Sequence, residues 1–221
     1  MKKTSFVSKY LAGLIGACLW VYVLIVTPQV HADSGRLQGY VMQIEMTPAV
    51  CSIDASKRKQ RKCLEGYSLT VMGLIPETGN ITECKTNSSA MLSPIQTSVV
   101  ARLMPDESAR TQLWRGVGGC VPMNASQYFR TIVNFADRLK IPSELTGPTT
   151  KDVQKNTIRQ QFLRLNPSLP ASGIKFTCQS SRSKPILTEV QVCYQVSGAY
   201  TQCASHVVSS CPEEFTIKGS Y

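Results

Sequence analysis

Cysteine placement constrains this chain more than any other feature. Beyond Cys18, eight cysteines stand at Cys51, Cys63, Cys84, Cys120, Cys178, Cys193, Cys203 and Cys211. An even set behind a leader-like start reads as a disulfide framework made in an oxidising compartment. Zinc is the alternative, but a knuckle needs cysteines about two to four residues apart, and no pair has that spacing. Eight cysteines allow roughly a hundred pairings, so spacing alone leaves the connectivity open.

The leader-like start is residues 1–32. Lys2, Lys3 and Lys9 precede an apolar run from Leu11 to Val26, and Val30-His31-Ala32 has the small or apolar residues of a cleavage site. Cleavage is expected after Ala32. An uncleaved membrane anchor is the alternative, because the run approaches the roughly 17–25 residues that span a bilayer. Residues 33–221 then suit one domain with a real core. They carry 21 basic and 14 acidic residues, a net charge of +7. That excess favours anionic partners and says nothing about fold.

Tyr40 to Met46 alternates, with Tyr40, Met42, Ile44 and Met46 on one face, as in a half-buried strand. Leu69 to Met72 reads as a second strand, stopped at Gly73 and Pro76. Between Cys51 and Cys63 lies a basic loop. Asn124 with Gln127 resembles a capping box, followed at helical spacing by Tyr128, Ile132, Phe135, Ala136 and Leu139. A second helix is expected within Lys151 to Leu165, with Ile158, Phe162 and Leu165 inward. Ile174–Cys178, Leu187–Val196 and Phe215–Ile217 read as strands. Helices in the middle and strands on both sides make an α+β domain.

Three landmarks together resemble the ribonuclease T2 family. Its first active-site motif, His-Gly-Leu-Trp-Pro, is similar to Met72-Gly73-Leu74-Ile75-Pro76. Its second, His-Glu-Trp-x-Lys-His-Gly-Thr-Cys, is similar to Gln112 through Cys120. The third is the run Asn166-Pro167, Phe176-Thr177-Cys178 and Leu187 to Cys193, followed by Cys203 and Cys211. The resemblance implies a central antiparallel sheet with packed helices and four disulfides. It implies the pairs Cys51–Cys63, Cys84–Cys120, Cys178–Cys211 and Cys193–Cys203, each worth roughly 2–4 kcal/mol.

The resemblance also implies where chemistry belongs. Family members cleave RNA through the ribose 2′-oxygen, using histidines for proton transfer and Lys and Glu to stabilise the charged phosphate. Here those positions carry Met72, Gln112, Leu113, Gly116 and Val117, and none can titrate at neutral pH. The chain has two histidines, and His31 lies in the leader. His206 alone remains, and it reads as a surface or capping residue. The apolar replacements suggest a site filled in rather than merely disarmed.

Binding candidates are Lys57, Arg58, Lys59, Arg61 and Lys62 in the basic loop, able to grip phosphates or simply to stay solvated. Trp114 is a further candidate, although core packing suits it better than base stacking. No cofactor or metal site is expected. The expectation is a secreted or periplasmic pseudoenzyme that binds RNA or another polyanion without cleaving it. The alternative is a module that docks an envelope or extracellular protein. Residual endoribonuclease activity is the least favoured reading.

Overall fold

A computed structural model describes residues 36–79, 81–180 and 184–220. The expected leader lies outside the described residues.

Alternation in the sequence sets the first strand. In β1, Gly39–Met46, the side chains of Tyr40, Met42, Ile44 and Met46 enter the core, while Gln43 and Glu45 face the other way. Helix α1, Thr47–Ile53, carries Pro48 in its first turn, where proline is tolerated. A 3-10 turn at Ala55–Lys59 and the short helix α2, Arg61–Leu64, occupy the stretch expected as a basic loop.

Strand β2, Leu69–Glu77, pairs antiparallel with β1 along its length. Gly73 and Pro76 predict a stop after Met72, but the strand runs through both. It lies at the sheet edge, where a proline costs the ladder little. Its edge is also closed by other groups. Val71 N–H donates to Leu103 O at 2.9 Å, and the Tyr128 hydroxyl bonds both the N–H and the carbonyl of Leu74. Capping the edge in this way removes a template for pairing with another chain.

Helices α3, Pro94–Ala101, α4, Glu107–Val117, and α5, Ala125–Arg138, follow. The capping box expected at α5 is present, with Asn124 Oδ1 accepting from Gln127 N–H and Gln127 Oε1 accepting from Asn124 N–H. Its inward face buries Tyr128, Ile132 and Phe135 against β1. Strand β3, Lys151–Gln154, then leads into α6, Lys155–Leu165. Ile158 and Phe162 point inward as expected, but Leu165 is 45% exposed, because the helix ends there and leaves the core.

Strands β4, Ile174–Gln179, β5, Ile186–Gln195, and β6, Glu214–Ile217, complete a sheet ordered β2-β1-β5-β6-β3, with β4 also paired to β5. All pairings are antiparallel except the parallel contact of Ile186 with Thr216. The four disulfides join the pairs the resemblance implied.

Candidate binding cleft

Met72 owes its position to a bulge. Gln43 of β1 stands opposite Gly73 and Ile44 opposite Val71, so Met72 is the extra residue between them. A bulge bends the strand and re-aims one side chain, a device common beside active sites. Met72 is 36% exposed and lines a cleft of about 320 Å³ with Gln112, Glu45, Lys57, Lys62 and Asp106. Strand β2 and helix α4 therefore bring the two motif regions together.

Helix α4 can lie close to β2 because residue 73 is glycine. A Cβ there would come within 2.7 Å of Leu113 Cδ1. Along α4, Leu113 packs on the strand, Val117 is buried, and Gln112 is exposed. Gly116 is exposed with open space where a side chain would stand. The expectation of a filled site is therefore corrected. Val117 and Leu113 are packed away, while the groove beside Met72 and Gln112 stays open.

Trp114 points into the core, 2% exposed, with its ring 5.6 Å from Tyr128 and Nε1–H donating to Ser88 O at 3.2 Å. Contrary to its place among the binding candidates, the indole has no face open to a ligand, because helix packing covers it.

The five expected cations do not act as one patch. The Cys51–Cys63 bridge folds the segment tightly, and three cations turn onto the protein. Arg58 donates to the carbonyls of Cys51 and Ser52, each at 3.2 Å. Arg61 pairs with Glu65 at 2.5 Å. Lys62 Nζ lies 2.8 Å from Glu45 Oε1 at the cleft floor, an ion contact without hydrogen-bond alignment. Lys57 lines the cleft, Lys59 is exposed, and among the described residues neither forms an ion pair.

The cleft floor holds one carboxylate, Glu45, that the motifs do not point to. Glu45 is 2% exposed and stands opposite Glu189 in the β1–β5 ladder. Burial pushes the Glu189 carboxyl up. A hydrogen bond from Gln191 at 2.9 Å opposes that shift, and the negative charge of Glu45 adds to it. The available signal was Gln43 and Glu45 on the outward face of β1, matched by Glu189 and Gln191 in β5. With Asp106 at the rim, the charges of Lys57 and Lys62 meet two carboxylates in the lining.

His206 lies elsewhere. Its Nε2 is 3.3 Å from Glu77 Oε2 and its side chain is 63% exposed. Glu77 is five residues beyond Met72 along β2, on the order of 16 Å at strand rise. No second histidine occurs among the described residues.

A bulged edge strand under a helix, a single mixed sheet and this disulfide set define the ribonuclease T2 fold. Solved structures carry that conclusion. Ribonuclease MC1 from bitter gourd seeds matches with a TM-score of 0.65 at 18% identity, over 80% of this chain and 98% of that one. A variant of the same enzyme in complex with 5′-UMP matches with a TM-score of 0.67. Ribonuclease NT in complex with 5′-AMP gives 0.62 at 13% identity, over 84% of this chain and 99% of that one. The self-incompatibility-associated SF11-RNase of Nicotiana alata gives 0.61 at 13% identity, over 80% and 95%. No protein-family model matches the sequence, and no curated protein matches it.

Proposed function

We propose that this protein uses a ribonuclease T2 fold to bind without cleaving, in an oxidising compartment such as the periplasm or the exterior. One observation carries the reading. The cleft where the two motif regions meet presents Met72 and Gln112, and the one described histidine lies at the other end of β2. The Glu45 carboxylate in the floor is already engaged by Lys62. Phosphoryl transfer to a 2′-oxygen needs one group to take a proton and another to return it, each contributing about 10²–10⁴-fold. The four disulfides support the compartment.

Single-stranded RNA is the ligand of first choice, since proteins of this fold hold 5′-UMP and 5′-AMP. Lys57 and Lys59 are the cations that remain for phosphates. Two contacts to a single strand give a salt slope of about −1.4 in log K against log salt. Fluorescence anisotropy of end-labelled RNA with the oxidised 33–221 chain tests this. A signal that rises, falls with salt at that slope and weakens on Lys57→Gln supports RNA as ligand; a flat trace at low salt rejects it.

A second reading has its own observation. Leu64, Met91, Ile95 and Val99 are exposed on α2 and around α3, and Tyr67 Oη donates to Ala101 O, tying those two regions together. Exposed apolar side chains on neighbouring segments suit a protein partner. Co-purification that survives nuclease treatment would favour it over RNA.

A further inference from the structure

The opposite end of the sheet holds a second cavity, of about 430 Å³, within the usual range for small-molecule sites. Tyr194, in its wall, is five residues along β5 from Glu189, on the order of 16 Å. It also lies on the helix-covered face, so the cavity is separate from the cleft.

Arg138 and Lys140 border this cavity, and no carboxylate does. Among the described residues neither cation forms an ion pair. Arg138 is held in place. Its guanidinium carbon sits 4.9 Å from the Phe135 ring centroid, and Nε–H donates to Asn134 O at 3.2 Å, while the side chain stays exposed. Gly198, at φ +84°, presses on the same group. A Cβ there would fall 2.8 Å from Arg138 Nη2 and 2.7 Å from Phe135.

Asn166 fixes the other wall. It is 4% exposed, and all its bonds are spent on its neighbours. Nδ2 donates to the carbonyls of Lys140 and Phe162, while Oδ1 accepts from Lys140 N–H and from Tyr200 Oη–H. Tyr194 Oη lies beside Tyr200 Oη without a well-directed bond to it.

Charge counting chooses the ligand class. The C-terminal ends of α5 and α6 both reach this region, each equivalent to roughly −0.5 charge. Against two cations that leaves about one positive charge. Leu165 and Pro167 add an apolar wall.

We propose that this cavity binds a small organic anion, its oxyanion head held by Arg138 and Lys140 and its apolar body lying against Leu165 and Pro167. The site stands apart from the cleft and does not depend on what the cleft binds.

The test follows backbone amide shifts in the oxidised chain during titration with benzoate. Benzyl alcohol serves as the neutral counterpart, and phenyl phosphate as an arm that separates carboxylate from phosphate heads. Benzoate or phenyl phosphate is expected to give saturable shifts at Lys140, Gly198 and Ala199, and benzyl alcohol none. Substituting Arg138→Gln with Lys140→Gln is expected to weaken binding about tenfold or more. The exposed Lys140→Gln alone, expected to cost several-fold, covers the case in which the double variant does not fold. Absence of saturable shifts with both anions, equal binding of benzyl alcohol, or unchanged affinity in the folded variants would overturn the proposal.

Discussion

Single side chains here are committed to structure where their types suggested chemistry. Trp114 is the clearest case, since its indole fills the interface of α4 and α5. Trp114→Ala is expected to cost roughly 3–5 kcal/mol in chemical denaturation, the range for removing a large buried aromatic. A loss below about 1 kcal/mol would mean that the indole is not a core group. Glu189 makes a second case through pH. Its folded carboxyl binds its proton more tightly than an unfolded one, so its stabilising contribution is complete below the ordinary glutamate range of about 4.3. That contribution is lost as pH rises through the raised value. Glu189→Gln should therefore raise the melting temperature at pH 7, with the gain shrinking as pH falls toward 4. A gain that grew in acid would reverse the assignment.

Among the elements, the segment between Cys51 and Cys63 shows how a run of like charges divides its roles. Lys62 neutralises a carboxylate that has almost no contact with water, whereas Lys59 is solvated. Lys62→Gln leaves Glu45 unpaired and is expected to cost roughly 3 kcal/mol, as breaking a buried pair does. Lys59→Gln should stay within about 0.5 kcal/mol. Equal effects in urea titrations would show that the ion contact carries no weight. At α5, Asn124→Ala removes half of the capping box and is expected to cost about 1 kcal/mol. These elements differ in how well they could be read in advance. Strand β1 and helix α5 were legible because alternation and helical spacing report burial directly. The run of β2 past Gly73 and Pro76 was not, since its partner β1 and its place at the edge are properties of the sheet. Nor could local sequence show Lys62 turning onto Glu45, because that contact crosses from α2 to β1.

For the molecule as a whole, the sheet and four disulfides hold an open groove that joins the two motif regions. The positions of Met72 and Gln112 in that groove were legible from motif order, while its open state was not. Whether a pocket is filled depends on which way Leu113 and Val117 pack, which only the approach of α4 to β2 decides. The central claim is that this groove binds and does not cleave. Its most direct test incubates the oxidised 33–221 chain with end-labelled single-stranded RNA and resolves the products on denaturing gels over hours, from pH 5 to 7. No product above the protein-free control is the expected result. Product that accumulated with protein concentration and vanished on Glu45→Gln or His206→Ala would contradict it.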